Sequence, residues 1–497
     1  MIHTFCGRAR GARSFVAHNL RNIVLGVSLL LTGLAGCAVN PATGERQFSL
    51  ISEDQEIQMG KEADEQIVAS LGVYPDPGLQ KYISDLGMKL ASSSERPGLP
   101  WTFRVVDDPV VNAFAIPGGH IYITRGILAH LENEAELAGV MGHEIGHVTA
   151  KHSVSQMSRT QLAQFGLGIG MILKPELQQY GQLASAGLGV LFLKFGRDDE
   201  NQADALGVRY SNRVGYDPNQ LIAVMTTLDR VTQASGSERI PEWLSTHPDP
   251  GNRKENIKAQ VDQIGYASLG KQINESGYLK QIDGTVFGQN PREGFFRGNV
   301  FIQPELKFRF EFPEGWKTIN QKEAVIGVSP NKDAAIQITL AKEKSADAAA
   351  REFFAQKGLA GEGARSADIH GFKARSGNFS ATTEQGTVVG TVAFVEFGGN
   401  VYQILGHGGQ TAWTGYESAA RKSIATFDKL ADPKLLNVQP LHIKIVKIDK
   451  EMTVEQFNKR YPSAVPVETI ALINQVDLNE QLRAGRQVKQ VVGEKVE

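Results

Sequence analysis

Glu136-Leu-Ala-Gly-Val-Met-Gly-His-Glu-Ile-Gly-His-Val-Thr-Ala-Lys151 carries an HExxH motif, His143-Glu144-Ile145-Gly146-His147. Its flanks are small and apolar, a pattern that predicts a helix. At 3.6 residues per turn, positions four apart share a helix face, so both imidazoles reach one ion together. Glu144 then projects to the side where a bound water would stand. The plainer alternative, two histidines on a solvated helix surface, fits poorly. Apolar flanks bury that face, and buried His and Glu without partners are costly.

A hydrolytic zinc takes three protein ligands and keeps one position open for water. Glu200-Asn-Gln-Ala-Asp204 falls on a second predicted helix, with its two carboxylates one turn apart. We assign Glu200 as the third ligand beside His143 and His147, with one zinc ion per chain. Asp204 is the carboxylate behind an imidazole, accepting its N–H and fixing its tautomer. The rival reading leaves Glu200 solvated.

The chain has 497 residues, enough for two to four domains. Lys+Arg 52 against Asp+Glu 54 gives no basic excess, which argues against a nucleic-acid partner. The two cysteines, Cys6 and Cys37, have no zinc-knuckle or redox spacing. Arg8, Arg10, Arg13 and Arg21 precede the apolar run 23–31, which ends in Leu34-Ala35-Gly36-Cys37. Basic n-region, short apolar core and small residues before a cut are the pattern of a signal peptide over 1–36. Leu-Ala-Gly-Cys resembles a bacterial lipobox, which implies that Cys37 is lipidated and anchors the chain. The alternative is an uncleaved signal anchor, for which the run is short. Ala38 in place of Asp implies, by resemblance to enterobacterial sorting, an outer-membrane lipoprotein on the periplasmic side of the envelope.

Beyond the anchor, 38–50 is polar and reads as a tether. Ser52 with Gln55 predicts a capping box opening a helix to about Ser70. A second helix is expected over 76–91. Thr102–Asp107 alternates as a strand, and Asn112–Thr124 reads as a hairpin turning at Pro117-Gly118-Gly119. Helices are expected over 134–151, 199–214 and 218–234. The apolar stretches 165–173 and 184–193 are each too short to span a bilayer and read as a buried or lid-like helical hairpin. After about residue 285 strands dominate. Phe308, Phe310 and Phe312 alternate with charges, and Thr391–Leu405 reads as a hairpin turning at Gly398-Gly399.

Asn112-Ala-Phe-Ala-x-Pro-Gly-Gly, HExxH, Glu200-x-x-Ala-Asp204 and Ser245-Thr-His247-Pro248 with Arg253 occur in that order over about 40–265. Together they resemble the HtpX-type, CAAX-prenyl-protease-like family of zinc metallopeptidases, the gluzincins, and above all its periplasmic members. The resemblance implies an α+β chain. Residues 37–285 would be a mainly helical metallopeptidase domain with a small edge sheet. An α/β sandwich domain over 296–430 and a small βααβ module over 441–493 would follow. The last unit resembles a LysM module through Thr453-Val-Glu-Gln-Phe457, Ile470-Ala-Leu-Ile-Asn474 and Leu482-Arg-Ala-Gly485. The usual Gly-Asp-Thr opening is replaced by Lys450-Glu451-Met452-Thr453, which puts glycan binding in question.

Function follows from these expectations. Glu144 is the general base on the attacking water. His247 stabilises the oxyanion or closes the fourth zinc position; a capped His-Pro turn without metal contact is the equal alternative. Arg253 positions a carboxylate or the chain terminus of this lobe, or else makes a surface ion pair. Asn112, Ala113, Phe114 and Ala115 bind substrate as a sheet edge, or else form an ordinary core strand. His120, His130 and His152 show no partner pattern and are left as structural or surface residues. Main-chain pairing favours unfolded or misassembled envelope proteins as substrates. A chaperone or assembly factor for outer-membrane proteins, working with their assembly machinery, is one rival. A hydrolase bound to peptidoglycan is another.

Overall fold

The computed structural model describes residues 37–166, 195–234, 247, 252–383 and 386–494. The signal peptide over 1–36 lies outside the described residues, as does the apolar hairpin apart from its first two positions. The chain mixes helical and sheet-rich parts.

The stretch expected to be a free tether is instead a hairpin, β1 (Cys37–Val39) against β2 (Arg46–Phe48). Asn40 makes the turn, its Oδ1 accepting the Ala42 and Thr43 amides at 2.9 and 3.3 Å. Polar composition signalled a linker, yet these polar groups close on one another and on the domain behind them. Arg209 donates to the Ala42 carbonyl, and the Leu50 amide donates to Ser158 Oγ.

Helix α1 (Glu53–Leu71) opens with the expected capping box between Ser52 and Gln55, and α2 (Pro77–Ala91) is capped by the Asp76 carboxylate. Strands β3 (Thr102–Val106), β4 (Ala113–Ile116) and β5 (His120–Thr124) form a sheet in the order β3-β5-β4, with β3 parallel and β4 antiparallel to β5. The β4–β5 turn uses Gly118 and Gly119 at φ 84 and 95, where only glycine is unstrained. A short helix α3 (Arg125–His130) leads into α4 (Glu134–Thr149), the HExxH helix. Every residue of α4 is buried. It is surrounded by neighbours on all sides, so its sequence carries no amphipathic stripe. Helices α5 (His152–Gly166), α6 (Arg197–Arg213), α7 (Gln220–Ala234), α8 (Arg253–Ile264) and α9 (Glu275–Ile282) complete this part. One apolar cluster joins α2, α4, α6, α7 and the sheet. No helix among the described residues is long and apolar enough to cross a membrane.

Between Lys317 and Gly409, antiparallel strands build an eight-stranded sheet. Val392 and Phe394 pack beneath Ala346–Phe354, while Ala393 and Val395 pack with Gln410–Ile424. The two-residue alternation therefore places one helix on each face. The turn at Gly398-Gly399 has both φ values positive, 60 and 83, as a two-residue hairpin loop requires.

The last unit runs β7 (Leu441–Lys447), α10 (Val454–Arg460), α11 (Val467–Ile473) and β8 (Gln487–Val492), and β7 also pairs with β6 (Val286–Phe287). It is fastened to the segment that leads into α4. Lys489, fully buried, donates to the carbonyls of Leu131 and Ala129 at 2.7 and 3.2 Å and lies 2.9 Å from Glu132 Oε1. Gln475 donates to His130 O and to Glu136 Oε2.

Candidate metal centre

Two helices build the site because glycines let them touch. A Cβ on Gly142 of α4 would stand 3.2 Å from the Gly207 Cα on α6, and one on Gly146 would stand 3.2 Å from the Ala203 carbonyl oxygen. That approach brings the first two turns of α6, with Glu200 and Asp204, beside the histidine face of α4.

His143, His147, Glu200 and His247 each offer a ligand atom, and these atoms lie within 4.8 Å of one another. His143 Nε2 and His147 Nε2 are 3.0 Å apart. Glu200 Oε2 is 3.6 Å from the first and Oε1 is 3.6 Å from the second. His247 Nδ1 is 3.1 Å from Glu200 Oε1 and 3.4 Å from His143 Nε2. All four residues are buried.

The groups behind these ligands decide what they can hold. His143 Nδ1 lies 2.9 Å from Asp204 Oδ1. A carboxylate accepts, so Nδ1 carries the proton and Nε2 turns a lone pair inward. Arg253 is not a surface residue. It is buried, grips both Asp204 oxygens through Nε and Nη2 at 2.8 and 2.6 Å, and lies 3.1 Å from Glu200 Oε2 through Nη1. Against the pull of burial, the Arg253 charge and the His143 N–H hold the Asp204 pKa down at about 2. Burial would raise Glu200 as well, but His247, His143 and Arg253 outweigh it and keep it below the usual range. Burial drives His143 down and His147 well down, keeping both imidazoles neutral as metal ligands must be.

Glu144 differs. Among the described residues no side chain hydrogen-bonds its carboxylate; the Ala115 main chain faces it, and His247 Nε2 stands 3.6 Å from Oε1. Burial pushes its pKa up to about 8. For His247 burial acts downward, but the carboxylates of Glu200 and Glu144 outweigh it and raise the ring above its ordinary value.

Among the described residues, β4 lies against α4 at an unpaired edge of its sheet. Because the Thr124 amide donates to Asn112 O, alternation turns the main-chain groups of Ala113 and Ala115 toward the open side. Ala115 is half-buried, whereas Asn112, Ala113 and Phe114 are buried. The buried Asn112 Oδ1 has no hydrogen-bond partner among the described residues.

His152 is neither a surface residue nor a remote structural one. It is buried beside the site, with Nδ1 2.9 Å from His147 Nδ1 and Nε2 2.9 Å from Gln202 Oε1. Burial lowers its pKa, which keeps the ring neutral. Phe195 stacks on His147 with ring centroids 4.0 Å apart. Neither His152 nor Gln202 belonged to a motif we could read. Their nearness in sequence to His147 and Glu200 was the available signal. Elsewhere, His120 Nδ1 pairs with Thr102 Oγ1 and His130 Nδ1 with Gly126 O, away from the centre.

The donor set fits a metal. His143 turns a bare Nε2 toward His147 Nε2 3.0 Å away, with the Glu200 carboxylate 3.6 Å from each. Imidazole nitrogen with carboxylate oxygen is a set for a divalent transition ion.

Comparison with known proteins agrees. The profile of peptidase family M48 matches residues 77–261. The "Beta-barrel assembly-enhancing protease" of Escherichia coli (strain K12) is 33% identical over 233 residues, covering 45% of this chain and 47% of that protein. The "Mitochondrial metalloendopeptidase OMA1" of Schizosaccharomyces pombe is 30% identical over 223 residues, covering 44% and 64%. Its namesake in Arabidopsis thaliana is 29% identical over 228 residues, covering 45% and 43%. The chain thus spans about half the length of the bacterial relative.

Proposed function

Taking residues 77–261 as a peptidase family M48 domain, we propose that the chain is a zinc-dependent endopeptidase acting on unfolded or misassembled envelope proteins. The observation that carries the reading is the convergence of His143, His147 and Glu200 on one point, with the buried carboxylate of Glu144 alongside, hydrogen-bonded by no side chain among the described residues. A buried carboxylate engaged by so little is costly in a purely structural role and suits a group whose partner is the reacting water.

Zinc held by His143, His147 and Glu200 would supply Lewis acidity toward the scissile carbonyl and lower the pKa of water. Glu144 takes the proton of the attacking water onto its carboxylate and delivers it to the leaving amine. Asp204, braced by Arg253, keeps the His143 proton on Nδ1. The Ala113 and Ala115 main-chain groups pair with an extended peptide, with Asn112 beside them. Pairing of that kind reads backbone rather than sequence and favours unfolded chains.

His247 sits among the ligand atoms, which supports its closing the fourth position in a resting state rather than waiting as an oxyanion donor. On that reading it must withdraw before water can enter.

The bacterial relative is named for enhancing β-barrel assembly, and we extend that to the partners here: outer-membrane proteins and their assembly machinery. Lipidation of Cys37, an outer-membrane location facing the periplasm, the division into 37–285, 296–430 and 441–493, and a LysM-like last unit that docks on peptidoglycan are parts of the same proposal. Glu144→Gln tests the core of it. Zinc content should stay near one per chain, while hydrolysis of an unfolded barrel protein falls about 10²–10⁴-fold. Undiminished hydrolysis would sink the proposed base, and full physiological function without hydrolysis would favour the chaperone reading. Release of muropeptides from purified sacculi would favour the peptidoglycan reading.

A further inference from the structure

We propose that Asn40, Gln202 and His152 form a hydrogen-bond relay that sets the metal-binding tautomer of His147, making the N-terminal hairpin part of the metal centre. The inference rests on the zinc reading above.

The direction of the relay follows from groups that can only donate. The Ala42 and Thr43 amides donate to one atom of the Asn40 side chain, which must be Oδ1. The other atom, Nδ2, therefore faces Gln202 at 3.0 Å, and Gln202 must present Oε1. His152 Nε2 lies 2.9 Å from that same oxygen and so carries a proton. Asp199 Oδ1, 3.8 Å from Nε2, favours the same placement. With one proton on the ring, His152 Nδ1 is bare and accepts from His147 Nδ1 at 2.9 Å. The His147 proton is then on Nδ1, and Nε2 turns its lone pair toward His143 and Glu200. Asp204 does this for His143; the second histidine is set by a chain that ends three residues past Cys37.

These are positioning residues, so the tests read zinc affinity, by competition between the full-length chain and a chromophoric chelator. Asn40→Asp keeps an acceptor for the turn but removes the donor. Gln202 then turns its amide nitrogen inward, and the relay reverses to put the proton on His147 Nε2. Zinc affinity should fall about 10-fold or more, the range for losing a group behind a metal ligand. His152→Phe should fall similarly. Gln202→Glu still accepts from both neighbours, preserves the direction, and should stay within about threefold of the unaltered chain. Thermal unfolding of the zinc-free variants shows that each is folded, and two direction-breaking changes at different sites guard against one failing. Affinities of Asn40→Asp and His152→Phe within threefold of the unaltered chain, or a Gln202→Glu loss as large as theirs, would overturn the relay alone. An unaltered chain that takes up no zinc would overturn the zinc reading with it.

Discussion

Gly142 and Gly207 face each other where α4 crosses α6, so closely that a Cβ on Gly142 would stand 3.2 Å from the Gly207 Cα. The crossing sets how far Glu200 stands from the two histidines. A Cβ on Gly207 itself would lie 3.1 Å from the His143 amide nitrogen. Gly207→Val should force the helices apart, cost about 1–3 kcal/mol of stability and weaken zinc binding with it. Denaturant unfolding and zinc competition on one variant check both. Loss of stability with zinc affinity untouched would mean the crossing does not set the ligand distance.

Glu200→Ala and His247→Ala separate a required ligand from a resting one. Removing Glu200 leaves the two helix imidazoles with only the resting His247 ring beside them and no carboxylate, and zinc should fall well below one per chain. Removing His247 leaves three ligands, so zinc should remain while hydrolysis of an unfolded polypeptide rises. Metal analysis and a proteolysis assay read both outcomes. Reduced hydrolysis in His247→Ala would assign that ring to the oxyanion instead.

Glu136 links stability to pH. Burial pushes its pKa up to about 7 from an ordinary 4.5. The folded chain therefore binds more protons than the unfolded chain between those values. Stability is fully present below the unfolded value and falls as pH rises through about 7, by about 3 kcal/mol at most. Glu136→Gln cannot titrate, so relative to the unaltered chain it should gain stability between pH 4.5 and 8. Denaturation midpoints of the two proteins should diverge over that interval; parallel curves would refute the raised pKa.

Cys37→Ala tests the anchor. If lipid on this cysteine holds the chain, the variant should leave the membrane fraction for the soluble one. A variant that stays with membranes would assign anchoring to the apolar segment before it.

The HExxH spacing, the Ser52 capping box and the Pro117-Gly118-Gly119 turn were legible because each rests on residues a few positions apart. Local periodicity and capping chemistry fix such elements before any tertiary contact forms. Glu200 was within reach for a related reason: its partner Asp204 lies one turn away. The hairpin at 37–48 and the place of His152 beside His147 were not legible, and Arg253 could be read as positioning a carboxylate without the sequence saying which one. Each depends on groups that only chain folding brings together; Asn40 and Gln202, for instance, are 162 residues apart. A polar side chain reads alike in sequence whether water or a buried partner satisfies it. The amino-acid order thus determined which helix offers two imidazoles on one face. The packing of α6 and the N-terminal hairpin against that helix decided which carboxylate meets them and where each ring proton sits, because burial leaves those groups no partner but one another.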